Sequence, residues 1–336
     1  MKTKFMMMMA AAALVLTSCS NDDETDNWNG EIRLSSGLAV QTRANNTDVP
    51  DKQIAENQTV YTWVDKVPIS SGDAATAYIN AWTLTAQGNG TFMGNAQYYP
   101  ADGAKLDFYA MHGNFTFTEN GDVFPTTAIN HDVAANQSTN LGENYLKSDL
   151  LYGLKTEVTR SGSAVNLTFY HLLSKVEVAL KSGAGSPNLV GATVTIENTR
   201  LKASFTPSKT ADINNSVSET AQAARAGLVT CPTDNNDVTS IAIATKMATG
   251  DFAAGTEYAA AIIVPQTVAE GTQFIKVVLA NNGGTFTYKV PNEITFESGK
   301  KYQYQITVNK SSLSVTSSIS GWSPITAITG EATMSN

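Results

Sequence analysis

Apolar and polar residues alternate with a period of two along most of the chain, a pattern typical of β-strands with one buried face. Residues 301–308 show the alternation most clearly, with tyrosine, isoleucine and valine at the even positions and lysine, glutamine and threonine at the odd ones. Residues 259–264 are continuously apolar, which predicts a strand buried on both faces. Helical periodicity is absent between residues 60 and 125. The pattern predicts an all-β protein.

Turn signals divide these segments into short strands. Residues 281–284, Asn-Asn-Gly-Gly, stand between two alternating segments and predict a hairpin. Asn120-Gly121 is a second hairpin signal of the same kind. Residues 216–219, Ser-Val-Ser-Glu, match a helix capping box and precede an alanine-rich run. They predict one short helix that ends near Gly227.

The side of the strand that carries the apolar residues changes once in the middle of the chain. Apolar residues occupy odd positions over 165–169 and even positions over 176–180. A period-two register changes parity only through a bulge, a bend or a change of sheet. We therefore expect a sharp strand feature within residues 170–174.

A glycine- and serine-rich stretch at residues 182–188 is the best linker candidate in the chain. The spacing of strands and turns on its two sides predicts two β-sandwich domains in tandem. We place the N-terminal domain at residues 45–184 and the C-terminal domain at residues 185–336.

The N-terminus reads as an export signal. Lys2 and Lys4 precede an apolar run over residues 5–15, which is far shorter than a spanning helix requires. Residues 16–19, Leu-Thr-Ser-Cys, resemble a bacterial lipobox. This resemblance implies that residues 1–18 are cut away and that Cys19 carries the lipid that anchors the protein in the outer membrane. An ordinary signal with an incidental cysteine is the alternative.

Behind the signal, an acidic cluster at residues 22–24 resembles the tag that directs Bacteroidetes lipoproteins to the outer face of the outer membrane. Four apolar residues then fall at even positions and predict a half-buried strand. These residues are Ile32, Leu34, Leu38 and Val40. The strand is followed by Arg43-Ala44, an accessible site for a trypsin-like protease.

Composition excludes several function classes. The chain has 336 residues, with 22 Lys and Arg against 30 Asp and Glu and a net charge of −8, which argues against nucleic acid as a partner. Cys231 has no partner for an internal disulfide once Cys19 is lipidated, and we expect a small buried side chain. The three histidines, His112, His131 and His171, have no metal-ligand spacing, although convergence in space stays open.

An enzymatic reading finds little support in the sequence. The glycines at 88, 90 and 94 lie in a hairpin context without a following helix, unlike a dinucleotide-binding loop. Asp102, Asp107 and Asp149 are most simply turn and strand-edge residues. We predict neither catalysis nor a cofactor.

Several motifs in a fixed order resemble the fimbrillin family of Bacteroidales. They are Tyr-Tyr-Pro at 98–100, Leu-Asp-Phe-Tyr-Ala at 106–110, Asp-Leu-Leu-Tyr-Gly at 149–153, Phe-Tyr-His-Leu-Leu-Ser-Lys-Val at 169–176, Val-Pro-Gln at 264–266, Phe-Glu-Ser-Gly-Lys-Lys-Tyr at 296–302 and Gly-Trp at 321–322. The resemblance implies a surface pilin lipoprotein with two transthyretin-like β-sandwich domains. It also implies maturation by an arginine-specific protease, for which Arg43-Ala44 is the expected site. We place the lipidated leader and N-terminal strand at residues 19–44, with the expected cut after Arg43 at the end of this segment.

Removal of the strand over residues 32–40 would leave an apolar groove with unpaired edge amides. A strand from another pilin subunit could fill this groove, the donor-strand form of β-augmentation. The C-terminal tail supplies the candidate donor residues, which share one parity. They are Leu313, Val315, Ile319, Ile325 and Ala327.

Two other interpretations stay open at this point. Both chain ends could be edge strands of a monomeric lipoprotein that never polymerises. Alternatively, the protein could be a surface lipoprotein that binds a glycan or a host ligand. Its four tryptophans, Trp28, Trp63, Trp82 and Trp322, would then offer a stacking platform, although aromatic residues in a sandwich more often belong to the core.

Overall fold

A computed structural model describes residues 28–38, 53–70, 72–116, 123–210, 226–253, 255–321 and 327–333. Within these ranges the chain forms 23 strands and one short helix. In chain order they are β1 Leu34–Leu38, β2 Thr59–Lys66, β3 Thr76–Ala86, β4 Phe92–Met93, β5 Leu106–His112, β6 Phe115–Thr116, β7 Ile129–Asp132, β8 Asn136–Gln137, α1 Glu143–Ser148, β9 Leu151–Val158, β10 Val165–His171, β11 Ser174–Ser182, β12 Thr193–Thr199, β13 Lys202–Pro207, β14 Gly227–Thr230, β15 Thr239–Ile243, β16 Ala259–Ile263, β17 Thr267–Val268, β18 Gln273–Val278, β19 Thr285–Lys289, β20 Ile294–Thr295, β21 Lys300–Val308, β22 Ser312–Gly321 and β23 Ala327–Thr333.

The strands form five sheets in the described part of the chain. The largest has seven strands in the order β1-β10-β9-β5-β2-β3-β4. Two five-stranded sheets have the orders β16-β11-β21-β22-β23 and β19-β18-β12-β15-β8. A four-stranded sheet, β14-β13-β7-β6, and the pair β17-β20 complete the fold. The predicted all-β class is confirmed.

The buried apolar residues separate into two cores. The smaller core packs against the seven-stranded sheet, and its described members all fall between Ile32 and Phe169, among them Val60, Phe108 and Leu167. The larger core runs through both halves of the chain, from Trp63 to the C-terminal strands. We refer to these two clusters below as the smaller core and the larger core.

The expected strand feature in residues 170–174 is confirmed. β10 ends at His171 in the seven-stranded sheet, and β11 begins at Ser174 in a different sheet, between β16 and β21. Leu172 and Leu173 connect the two strands and are fully buried in the larger core. The change of apolar parity in the sequence therefore marks a change of sheet.

Strand pairing does not follow the boundary that the sequence predicted at residues 184 and 185. β11, on the N-terminal side of that boundary, pairs with β16 and β21 from the C-terminal side. β7 pairs in the same way with β13. Glycine and serine in residues 182–188 mark a surface turn after β11 because a turn uses the same residue types as a linker.

Other local predictions have mixed outcomes. β18 and β19 form the antiparallel hairpin predicted around residues 281–284, with Asn281 and Asn282 at positive φ. All five residues of β16 are buried, as its apolar run predicted. The helix predicted from Ser216 and the turn predicted at Asn120-Gly121 lie outside the described residues.

Candidate functional site

The N-terminal strand β1 completes the seven-stranded sheet. On one side its residues run parallel to β10, from the pair Leu34–Val165 to the pair Leu38–Phe169. On its other side, Ser36 N donates to Gly90 O at 2.7 Å, and Ser35 forms a bridge with Thr91 beside β4. β1 therefore lies between β10, its neighbour in the sheet, and the region of β4 at the opposite end of the sheet.

The residues just before β1 extend this contact. Ile32 N donates to Gln97 O at 2.7 Å, and Tyr99 N donates to Gly30 O at 2.9 Å. Trp28 packs edge-on against Tyr99, with ring centroids 5.9 Å apart. The N-terminal segment is thus bound along residues 90–99 as well as along β10.

Apolar side chains bind β1 to the protein interior. Ile32, Leu34 and Leu38 are 4%, 7% and 5% exposed and belong to the smaller core. At about 1.5–3 kcal/mol for each buried side chain, they contribute roughly 4–9 kcal/mol as an upper estimate. Three of the four residues of the predicted groove strand are therefore buried, and Val40 lies outside the described residues.

Gly90 permits the close approach between β1 and its neighbour. Its φ of +84° lies in the left-handed region, and a Cβ at this position would stand 3.0 Å from Ser36 O. A side chain here would press on the strand as well as strain the backbone. Gly90, which the sequence places in a hairpin, therefore also permits the close contact with β1.

The C-terminal tail folds back onto its own chain. β22 pairs antiparallel with β21 over nine residue pairs, and β23 pairs with β22. Leu313 and Val315, two of the predicted donor residues, are 1% and 3% exposed and belong to the larger core. Ile319 is half-buried and packs against the same core. β23 is the outermost strand of its sheet.

Several predicted site residues are not covered by the structure. Cys19, Arg43, Ala44 and Ile325 lie outside the described residues, and Ala327 is described only as the first backbone position of β23.

All three histidines converge on the short helix α1. His112 places Nε2 3.0 Å from Leu146 O and Nδ1 2.8 Å from Thr59 O. His131 Nε2 lies 2.8 Å from Ser148 O, and His171 Nδ1 lies 2.9 Å from a carboxylate oxygen of Asp149 at the end of the helix. The sequence left this convergence open, and the pairing of β5, β7 and β10 with their neighbours places the three histidines around α1.

His131 is neutral in this arrangement. Its Nε2–H donates to Ser148 O, while its Nδ1 accepts the backbone N–H of Asn114 at 3.2 Å. Burial is the main cause that lowers the pKa of His131 to about 4, and the nearby His112 lowers it further. The histidines bind backbone and a carboxylate, and no group of three or more potential metal ligands occurs in the described part of the chain.

The acidic residues weighed as catalytic candidates have structural surroundings. Asp102 is paired with Lys66, whose hydrogen bond lowers the pKa of the carboxyl group. Asp107 accepts the backbone N–H of Glu157 at 2.6 Å, and burial raises the pKa of Asp107. Asp149 orients His171.

Cys231 and the described tryptophans are partly or fully buried. Cys231 is half-buried without a disulfide, and burial raises the pKa of its thiol. Trp63 and Trp82 are buried in the two cores, and Trp28 is half-buried. Trp322 lies outside the described residues. In the described residues, no helix has the length and apolar character that a membrane span requires.

The structure defines an all-β protein with two cores, one of which is completed by the chain's own N-terminal strand, and sequence comparison identifies the family. The model of the family described as fimbrillin-like matches residues 42–322, and the chain belongs to this family. The resemblance read from the ordered motifs is confirmed.

Relatives and solved structures agree with this assignment. A protein of Bacteroides uniformis with the provisional name fimbrium subunit Fim1C is 23% identical over 338 residues, covering 96% of both chains. The crystal structure of a provisionally described cell adhesion protein from Bacteroides uniformis has a TM-score of 0.55 at 19% identity and covers 88% of this chain and 99% of its own. A similar structure from Bacteroides ovatus has a TM-score of 0.56 at 18% identity and covers 88% and 98%. These two structures support the fold.

Proposed function

We propose that the protein is a structural subunit of a cell-surface fimbria that polymerises by strand exchange after cleavage behind Arg43. The observation that carries the proposal is the position of β1. It lies between β10 and residues 90–99, and together with Ile32 just before it supplies three side chains to the smaller core, those of Ile32, Leu34 and Leu38. Cleavage after Arg43 separates this strand from the rest of the chain, so that it is free to leave.

The groove that β1 would leave is a suitable acceptor for another strand. Loss of β1 exposes the apolar surface that Ile32, Leu34 and Leu38 cover, together with backbone groups of β10 and of residues 90–97. Unpaired edges of this kind bind extended segments by β-augmentation. Before cleavage the chain's own strand occupies this groove at high effective concentration, which prevents premature assembly.

The pairing of the C-terminal strands narrows the choice of donor residues. Leu313 and Val315 belong to the larger core of their own subunit, so their transfer would dismantle the C-terminal sheet. Among the described strands, β23 pairs only with β22 and is the outer strand of its sheet. We therefore place the donor beyond Gly321, in the segment that includes Ile325 and Ala327. A head-to-tail contact of this type does not close and yields a fibre.

The same proposal includes export and anchoring. The subunit reaches the outer membrane as a lipoprotein through Cys19, an arginine-specific protease releases residues 19–43, and other pilin subunits are its partners. The fibre supports adhesion, and each subunit contains two transthyretin-like sandwiches. The membership of the fimbrillin-like family supports this interpretation.

Cleavage and assembly are tested on protein displayed on its native cell surface. Arg43→Ala should give full-length monomer, whereas the wild type should give ladders on gels run without boiling. Arg43→Lys is the matched control: it keeps the charge but resists an arginine-specific protease, while trypsin still cuts it and restores ladders. Cleaved wild type that stays monomeric at high concentration would contradict the proposal.

The donor is tested by removal of residues 322–336. This deletion leaves β22 in place, so the subunit should fold and be cleaved but should form no ladder. A deletion after Asn309 also removes β22 and with it Leu313 and Val315, so it should reduce stability as well. Normal ladders from the shorter deletion would show that the donor lies elsewhere.

A second candidate function is ligand binding by a surface lipoprotein. The buried positions of Trp63 and Trp82 do not favour the predicted aromatic platform. A polar cleft beside β1, lined by hydroxyl-bearing side chains, is the observation that favours ligand binding.

A further inference from the structure

The seven-stranded sheet is split next to β1. β9 and β10 pair at only three positions, the last of them Gly153–Phe169. Beyond that point β9 stays paired with β5 as far as Val158, while β10 stays paired with β1 as far as Val165. The facing edges of the two strands separate, and a cleft of about 770 Å³ lies between them.

The N-terminal segment fixes one wall of this cleft. The Arg160 guanidinium lies over the Trp28 ring, 5.2 Å from its centroid. Arg33 Nη1 donates to Gly162 O at 3.4 Å, and Val165 N donates to Arg33 O at 2.8 Å. The connection between β9 and β10 is thus attached to residues 28–33, which keeps it apart from β9.

The walls of the cleft are rich in hydroxyl groups. Half of the lining residues carry one, and an asparagine adds an amide. They are Tyr99, Thr156, Thr159, Ser161, Ser163, Thr168 and Tyr170, with Asn166. Tyr99 and Tyr170 add aromatic rings to this polar lining. Side chains that donate and accept hydrogen bonds suit a ligand that itself carries many hydroxyl groups.

Two polar groups at the cleft lack a partner in the described part of the chain. Tyr99 is 5% exposed, and its hydroxyl group has no hydrogen-bond partner. Lys155 is exposed and forms no ion pair or hydrogen bond with a described residue, whereas Glu157 is paired with Lys105 at 2.8 Å. A buried hydroxyl group without a partner is costly, which makes it a candidate to receive a ligand.

Lys155 occupies a strand position that normally faces the core. It stands directly opposite Phe108 in the pairing of β9 with β5, and Phe108 is fully buried in the smaller core. Residues directly opposite each other in an antiparallel pair share a face of the sheet. The lysine is exposed at this position because the sheet is open there. Its uncompensated charge favours an anionic ligand.

We propose that in the uncleaved subunit, where residues 28–33 hold one wall in place, this cleft binds an acidic carbohydrate, a short glycan with a carboxylate-bearing sugar. The carboxylate accepts hydrogen bonds from Lys155 and Tyr99, and the sugar hydroxyls contact the serine, threonine and asparagine side chains. The volume falls within the roughly 300–1,000 Å³ typical of small-molecule sites and suits two or three sugar rings. Sialic acids and uronic acids share this chemistry.

An extended peptide fits the cleft less well. An inserted strand needs facing edges about 10 Å apart, twice the usual strand spacing of about 4.8 Å, along its whole length. The cleft narrows to a single strand spacing at the pair Gly153–Phe169. A wedge of this shape admits a short ligand at its wide end and no continuous strand.

The test uses the full chain carrying Arg43→Ala, so that residues 28–33 stay in place and failed assembly has no influence on binding. Titration calorimetry compares 3′-sialyllactose, a glucuronic acid-containing hyaluronan tetrasaccharide, lactose and an unstructured acidic peptide. We expect at least one acidic sugar to bind at least tenfold more tightly than lactose. Lys155→Gln should weaken that binding at least tenfold, and Tyr99→Phe should weaken it severalfold.

Lys289→Gln on β19 is the matched control, because it removes an exposed lysine far along the chain and should leave binding unchanged. Thermal unfolding verifies that each variant is folded. The acidic sugar that binds more tightly shows whether the ligand's carboxylate belongs to a sialic acid or to a uronic acid. Equal binding of lactose, unchanged binding by folded Lys155→Gln, binding of the peptide alone, or no binding of any probe at millimolar concentration would each overturn the proposal.

Discussion

Protonation of His131 should make the protein acid-sensitive well above the pKa values of ordinary carboxyl groups. Its ring is fully buried and already satisfied in the neutral form, with Ser148 O as acceptor and the Asn114 N–H as donor. A proton on Nδ1 would remove that acceptor and place a cation in an apolar site.

The magnitude follows from the two pKa values. Burial lowers the pKa of His131 from 6.5 to about 4 in the folded protein, so the unfolded chain binds the proton more tightly. Each tenfold difference in proton affinity is worth about 1.4 kcal/mol, which gives roughly 3 kcal/mol in total. The stabilisation is fully present above pH 6.5 and is lost as the pH falls from 6.5 to 4. At pH 4.5 the loss should reach about 2–3 kcal/mol.

Urea unfolding at pH 7.5 and pH 4.5, followed by tryptophan fluorescence, measures this loss. The comparison variant is His131→Gln, whose amide can donate to Ser148 O and accept from Asn114 but does not titrate. Other acidic groups contribute equally to both proteins, so the difference between their pH dependences isolates His131. We expect the wild type to lose about 2–3 kcal/mol more than the variant between the two pH values. Equal losses in both proteins would refute the reasoning.

The other predictions concern β1 and a partly buried ion pair. Leu34→Ala should lower the free energy of unfolding of the uncleaved protein by about 2–4 kcal/mol, because Leu34 is 7% exposed in the smaller core. Urea unfolding measures this change, and Ser35→Ala is the control, which should change the free energy of unfolding by less than about 0.5 kcal/mol. Lys209 Nζ lies 2.6 Å from the buried Asp65 carboxylate and 4.8 Å from the centroid of the Phe124 ring, so Lys209→Met should cost about 2 kcal/mol. The double variant with Asp65→Asn should recover most of this cost in a double-mutant cycle, and a strictly additive result would show that the pair is uncoupled.

Local pattern was sufficient for much of the fold. Period-two alternation predicted the all-β class, and the change of apolar parity between Phe169 and Val176 located the change of sheet. The buried face of the N-terminal segment was also readable, because Ile32, Leu34 and Leu38 share one parity. These features depend on neighbouring residues in the sequence, where periodicity is informative.

Long-range pairing explains what the sequence left undetermined. Nothing in residues 32–40 indicates that β1 runs parallel to β10, about 130 residues later in the chain. The tail pattern that suggested a donor, Leu313 and Val315, is equally the pattern of a strand that covers its own core. His112, His131 and His171 meet only because separate strands end near α1. Such contacts depend on register between distant strands, which a single sequence does not specify.

The separation of the two cores sets a limit on how far a disturbance at the N-terminus can spread. Every member of the smaller core precedes Leu172, whereas the larger core joins both halves of the chain. Because loss of β1 removes side chains from the smaller core alone, the cooperative unit that loosens should be a fraction of the molecule. Amide hydrogen exchange would then rise around β10, β4 and residues 90–99 while β11, β16 and β21 stay protected. In the proposed assembly, the subunit would then exchange β1 for another strand without passing through the unfolded state.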